Sequence, residues 1–432
     1  MKRTLPLMIL LATLTAGPQQ TFAGKGKTTQ ELLTAATIAR ETDLIYDKLV
    51  TIRRDLHANP ELAGNEKRTQ DVIKRYLSDL GLEVQTGTYG HSVIGILKGG
   101  KKGKKIAWRS DMDALPNDFA DEETFRSVMK GVQHGCGHDV HMTVALGIAE
   151  VLSRHKASLA GTVYFIFQPE EETFAGAKNM VDHGLLSTIQ PDEIYGLHVT
   201  PLPAGKIMVK PGEVFAYQRQ VRIELKNELT KDEAKALAGQ IRSALVRSVK
   251  GSKPWEIQQI SDPVTGLAST NTIFRDYLIM DERFHIRSDK DRLFLEAYLY
   301  ETDPQQLERI LPRIQALIGE GPYKDKLLAV SYIQGNPTVI NDKELTGKAI
   351  AVLQNCCGND VLLPDYGLVP FFNDDFAYFQ QKVPGVYFFL GGSDVGKGIV
   401  AMNHAPGFRV AEESIRTGVN RFATLLAERL KP

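Results

Sequence analysis

The sequence predicts an α/β protein whose main domain is discontinuous: a mixed sheet flanked by helices, interrupted by a smaller α+β insert. Three observations carry this expectation. Short apolar, β-branched or aromatic runs alternate with amphipathic helical stretches through the first half, the order of an α/β sheet. Near residue 215 the pattern changes to half-exposed alternating runs and two strong helix formers, and after residue 330 the α/β character returns. The length of 432 residues also exceeds what one core usually holds. The expected bounds are 28–214 and 331–432 for the main domain, 215–330 for the insert and 1–23 for a leader.

The leader comes first. Lys2 and Arg3 precede an apolar run from Leu5 to Leu14, and Thr21-Phe22-Ala23 fits a cleavage site. This is the pattern of a signal peptide, too short to span a bilayer. The mature chain is expected to be exported, periplasmic or extracellular, with no membrane span. Residues 28–78 read mostly as helix, with Thr28 as an N-cap and Glu31 three residues on. A helix over Glu66–Leu80 stops at Gly81. Ser92–Leu97 and Lys105–Arg109 read as strands around a solvated Lys101–Lys105 turn. A helix over His141–Ser153, a buried strand over Gly161–Gln168, a helix over Ala175–His183 and a strand over Glu193–Val199 follow. In the insert, Gln220–Lys226 is a strand and Lys231–Lys250 a helix. Arg283–Arg287 and Arg292–Tyr300 form a hairpin, Pro304–Ile318 is a helix and Lys326–Tyr332 a strand. Val386–Leu390 is a late buried strand.

Composition excludes some partners. Charged residues are 24% and the formal net charge is zero, so no strong field recruits nucleic acid or an anionic membrane. Cys356 and Cys357 are adjacent and read as two buried thiols, since a disulfide between neighbours is strained. The chain has only 3 Cys and 10 His, yet residues 134–139 read His-Gly-Cys-Gly-His-Asp. On an extended segment Cys136 and His138 would face the same way and could share a metal. Glu170, Glu171 and Glu172 follow the most apolar strand, where an open α/β sheet gathers its functional groups. Three such carboxylates repel unless a cation neutralises them. Asp111 and Asp113 end another strand and serve either to orient a ligand or to cap a turn. His57, His198 and His404, taken singly, fit structural roles equally well.

Taken in order, Arg54-Asp55-Leu56-His57, Asp111-Met112-Asp113, His134-x-Cys136-Gly137-His138-Asp139, Gln168-Pro169-x-Glu171-Glu172, Gly196-Leu197-His198 and His404-x-Pro406 closely resemble the two-metal aminoacylase/carboxypeptidase metallopeptidases. The resemblance is to their amidohydrolase subgroup of hippurate hydrolase-like and auxin-conjugate hydrolase-like enzymes. It implies a catalytic α/β domain with a ferredoxin-like lid, as monomer or homodimer. It implies Cys136, His138, Glu172, His198 and His404 as ligands of two divalent ions and Glu171 as general base. Zinc suits the donors best, with manganese, nickel or cobalt as alternatives. The implied substrate is a small N-acyl amino acid or short peptide, cleaved at its amide bond by activated water.

The lid departs from the family pattern. A Gly-Gly-His segment expected after its first strand is replaced by Asn227-Glu228-Leu229-Thr230. An expected arginine falls on Tyr300. Asn271 matches a lid asparagine, and Asp113 is a candidate for orienting ligands or substrate. His285 is the lid's only histidine and reads as an ordinary strand position. These departures keep open a second reading, a non-catalytic metal- or ligand-binding protein on a hydrolase scaffold.

Overall fold

The computed structural model describes residues 33–431, so the expected leader and the helix start at Thr28 lie outside the described residues. The chain opens with α1 (Ala35–Ala58) and α2 (Lys67–Asp79). Thr34 caps α1, its Oγ1 accepting from the Thr37 N–H at 3.1 Å. Ile38, Ile45, Leu49 and Leu56 form the buried stripe that holds α1 on the domain.

Six strands of the main sheet come next, with three helices between them. They are β1 (Glu83–Thr86), β2 (Val93–Lys98), β3 (Lys101–Asp111), α3 (His138–Arg154), β4 (Ala160–Gln168), α4 (Gly176–Asp182), α5 (Leu185–Ile189), β5 (Glu193–Pro203) and β6 (Ile207–Met208). A short β7 (Gly212–Glu213) leads into the insert. The insert holds β8 (Tyr217–Lys226), α6 (Lys231–Leu245), β9 (Leu278–Met280), β10 (His285–Asp289), β11 (Arg292–Glu301), α7 (Pro304–Gly319) and β12 (Leu327–Gln334). The chain then returns through β13 (Ile340–Asn341), α8 (Lys343–Cys357), β14 (Leu362–Leu363), α9 (Ala377–Gln380), β15 (Gly385–Ser393) and α10 (Glu413–Arg429).

The main sheet has eight strands in the order β1-β2-β4-β3-β5-β15-β6-β14. Its centre, β4-β3-β5-β15, is parallel, whereas β1, β2 and β6 pair antiparallel at the flanks. The sheet is therefore mixed, and its four central strands point their carboxyl ends to one edge. The lid sheet runs β10-β11-β8-β12, all antiparallel, with β9 added beside β11. With α6 and α7 this is a βαββαβ unit. It has its own apolar core, built on Val221, Ile223, Leu295, Ile241, Ile310 and Ile314.

Four local expectations are corrected. Lys101–Lys105 is exposed, but it begins β3 rather than forming a turn, and Gly99-Gly100 makes the bend. The helix expected from His141 starts at His138, so Cys136 and His138 flank a turn into a helix, not an extended segment. The helix expected to reach Lys250 stops at Leu245. Cys356 and Cys357 are free and half-buried rather than buried. Among the described residues no helix is long and apolar enough to cross a membrane.

Helix α3 is buried from His138 to Leu152, between the sheet and the helices α1 and α10. That crossing is close because of Gly147. A Cβ there would lie 2.5 Å from Val419 and 2.8 Å from Leu49. Gly147→Val is expected to overpack this three-helix contact and destabilise the protein by about 1–3 kcal/mol. The measurement is a lower urea midpoint at unchanged m value.

Candidate metal centre

The carboxyl ends of the central strands supply the candidate residues. Strand β3 delivers Asp111 and Asp113, β4 leads into Glu171 and Glu172, β5 carries His198, and the loop after β15 carries His404. Cys136 and His138 enter at the amino end of α3. Gly137 makes that entry possible. Its φ is 92°, and a Cβ would come within 2.3 Å of Val199.

The structure brings the five expected ligands and Glu171 together. Cys136 Sγ lies 3.2 Å from His198 Nε2 and 3.0 Å from His404 Nε2. His404 Nε2 is 3.1 Å from Glu172 Oε1. His138 Nε2 lies 3.8 Å from both Glu171 Oε2 and Glu172 Oε1. Three triads of ligand atoms result, Cys136/His138/His198, Cys136/Glu172/His404 and His138/Glu171/Glu172, each within 4.8 Å, and the first two hold all five expected ligands. Cys136 belongs to both of those two.

Hydrogen bonds fix which atoms face inward. His138 Nδ1 donates to the Asp113 carbonyl at 2.8 Å, and His198 Nδ1 donates to the Val199 carbonyl at 2.7 Å. Each imidazole thereby turns Nε2 toward the centre. His138 Nε2 is buried and has no hydrogen-bond partner. Asn403 Nδ2 donates to the carbonyls of Cys136 and Val199, and the His404 N–H donates to Gly135, tying the late loop to the early one. The glutamate turn is clamped through its backbone. The Glu170 N–H donates to Glu66 Oε1, and the Glu171 and Glu172 N–H groups donate to the two Asp113 oxygens.

Charge tests whether divalent cations fit. Asp111, Asp113, Glu171, Asp374 and Asp375 are buried, and Glu172 is nearly so. Arg109 is buried among them, 2.7 Å from Asp111, 3.1 Å from Asp374 and 2.8 Å from Asp375. One guanidinium leaves a large anionic excess. Burial, reinforced by Asp374, Glu172 and Asp375, raises the Glu171 pKa well above the ordinary range. Burial, with Glu172 and Glu171 adding, raises the Cys136 thiol likewise. Burial opposes charge on His138, yet Asp111 and Asp113 outweigh it and push the imidazole up to about 10. Burial and His141 keep His198 neutral, as a ligand must be. The site draws positive charge and offers soft and hard donors, so the residues fit two divalent ions.

Two further acidic clusters are already satisfied within the protein. His141 donates from Nδ1 to Asp111 at 2.6 Å and accepts at Nε2 from the Val199 N–H, so neither nitrogen is free to ligate. Asp374 and Asp375 surround Arg109, and Asp375 also accepts from Gln168 and the Ala177 N–H. Arg109, His141, Asp374 and Asp375 were not foreseen as part of the site. Arg109 stands two residues before Asp111, directly after the buried apolar run Ile106-Ala107-Trp108, which is the signal sequence reading could have used.

The lid candidates fare differently. Asn271 is exposed on a turn, its N–H donating to Ser269 Oγ, and the structure does not bring it to the cavity. His285 is exposed on β10. The link from β8 to α6 is a capping box, in which Thr230 Oγ1 accepts from the Glu233 N–H and Glu233 Oε2 accepts from the Thr230 N–H. Beside the ligands a cavity of about 220 Å³ opens, reaching Phe215 and Gln218 and walled by Leu267, Phe371 and Phe389.

Comparison with known proteins agrees with this arrangement. The model of peptidase family M20/M25/M40 matches residues 107–428. The chain is 30% identical over 391 residues to thermostable carboxypeptidase 2 of Saccharolobus solfataricus, covering 88% of this chain and 95% of that protein. It is 30% identical over 349 residues to N-acetyldiaminopimelate deacetylase of Brevibacillus brevis, covering 79% and 88%. The solved structure of the Bacillus subtilis YXEP protein, a dinuclear metal-binding peptidase, superposes with a TM-score of 0.71 at 27% identity, covering 90% of this chain and 99% of that one.

Glu66 yields a test of the clamp. Its side chain is fully buried, Oε2 has no partner, and burial with Asp113 nearby pushes its pKa up to about 7. A raised carboxyl pKa favours the protonated fold, and that advantage is lost as pH rises through about 7. Glu66→Gln keeps an acceptor for the Glu170 N–H and removes the titration. Its stability relative to wild type should rise between about pH 4.5 and pH 7 by about 1–3 kcal/mol and then level off. Urea midpoints across that range measure it.

Proposed function

Because the chain belongs to peptidase family M20/M25/M40, we propose that it cleaves the amide bond of small N-acyl amino acids or short peptides. The observation that carries this reading is the shared thiol: Cys136 belongs to both ligand triads, with Glu171 beside them at the cavity. Cys136, His138, Glu172, His198 and His404 would hold the two ions, and zinc suits a thiolate, imidazole and carboxylate set best. Bound there, the ions supply Lewis-acid chemistry, withdrawing electron density from a carbonyl and from water.

The residues do the rest. Glu171 accepts a proton from the attacking water and returns it to the leaving amine nitrogen. Its burial raises its proton affinity, which suits a base. Asp113, by holding the N–H groups of residues 171 and 172, keeps the base and the ligand beside it in fixed register. The Lys2-Arg3 start and the apolar run after it support export to the periplasm or beyond.

The test pairs metal content with turnover. Glu171→Gln should retain wild-type metal by elemental analysis while kcat falls by about 100-fold or more. Absence of turnover by metal-loaded wild type across a broad panel of N-acyl amino acids and dipeptides would sink this reading.

A further inference from the structure

Two thiols outside the metal centre have no part in the chemistry above. Cys356 and Cys357 close helix α8, whose buried face, Leu345, Ala349 and Leu353, packs on the domain core beside α10. Both are free and half-buried, so the pair sits at the rim of the core, open in part to solvent. The Cys356 S–H has two acceptors in reach, the Leu353 carbonyl at 3.5 Å and the Cys357 sulfur. The Arg421 guanidinium, on α10, donates to the Cys357 sulfur, while Arg421 Nε is buried with no hydrogen-bond partner among the described residues. Cys356 on the same helix and Arg421 on α10 are the titratable and charged groups that face the Cys357 sulfur.

The carboxyl end of a helix is a poor place for an anion. Here a thiol donor and a guanidinium offset that penalty. The hydrogen bond from Cys356, with Arg421 adding, outweighs burial and brings the Cys357 thiol down from the ordinary range to about 7. The same hydrogen bond, with burial, pushes Cys356 up. The two thiols are thus split into a nucleophile and a protonated neighbour. A guanidinium beside the pair repels a second cation, so the pair suits nucleophilic attack better than metal ligation. Closure of the pair on itself is also disfavoured. Neighbouring Cα atoms stand about 3.8 Å apart across a trans peptide, short of the roughly 4.4–6.8 Å that a disulfide spans. An adduct on Cys357 therefore persists.

We propose that Cys357 is a modification site, a nucleophilic thiolate that takes up small-molecule disulfides as a mixed disulfide, activated by Cys356 and Arg421. The Cys357 sulfur attacks one sulfur of the incoming disulfide. The S–S bond of that molecule breaks, a new one forms to Cys357, and the other half leaves as a thiolate that takes a proton from water. The incoming disulfide is the oxidant, so no other is needed. The test incubates metal-loaded protein with oxidised glutathione and follows intact mass and peptide maps. One glutathione per chain is expected, on Cys357, and Cys357→Ser should lose it while keeping its metal content. Cys356→Ala combined with Arg421→Gln should slow the exchange about fivefold at pH 7, where the sulfur is less ionised, and speed it at pH 9.5, where the more basic thiolate is the better nucleophile. Either substitution alone should give an intermediate shift of the same signs. That reversal separates activation from access, since a change in access alone alters the rate equally at both pH values. Addition to Cys356 or Cys136 instead, closure to a Cys356–Cys357 disulfide, no adduct, or the same variant-to-wild-type ratio at both pH values would each overturn the proposal.

Discussion

Asp111, Asp113, Glu171, Glu172, Asp374 and Asp375 converge beyond the carboxyl ends of four parallel strands, with Arg109 buried in their midst. Like charges held this close in a low dielectric oppose the fold unless something neutralises them. Arg109 answers part of that demand. Proton uptake answers another part, as burial pushes Asp375 up to about 8 despite the guanidinium at its side. The remainder falls on the cluster of Cys136, His138, His198 and His404, whose donors suit divalent cations. Metal binding and folding stability are therefore linked in this domain, because the native state alone assembles the ligands.

The same constraint explains the backbone of the glutamate turn. Glu170 has a φ of 57°, unusual for a residue with a side chain, and adjacent glutamates would splay without restraint. Three successive N–H groups are captured by carboxylates from other elements, Glu66 on one side and Asp113 on the other. Asp113 thus works twice, since its carbonyl also sets the tautomer of His138. Anions orient the turn through its amides and leave the Glu171 and Glu172 side chains to face the centre, while Glu170 turns away to accept from Tyr89.

Much of this was legible in the sequence, for physical reasons. The apolar density of β4 and β15 announces buried parallel strands, and the strand-end rule then places Glu171, Glu172 and His404 at one edge. Cys136 and His138 stand out because thiols and imidazoles are scarce in this chain. Their two-residue spacing alone points to an extended run, whereas a left-handed glycine between them begins a helix. Asp374 and Asp375 were invisible because their role exists only once Arg109 from a distant strand lies between them. Asn271 shows the converse: a matching residue in the pattern, placed by its turn in solvent.

The lid's departure from its family pattern follows from its separate construction. Its core is apolar and its own, so changes in the link between β8 and α6 do not reach the buried charges of the catalytic half. That link is now a tight capping box with no histidine to offer. The lid meets the cavity instead through its strand face, where Gln218 of β8 is part of the lining. Strand faces are set by register and hold side chains more rigidly than a loop does, but they offer fewer of them. The buried charge therefore stays with the parallel strands, while the lid adds Gln218 to a cavity walled by Phe371 and Phe389.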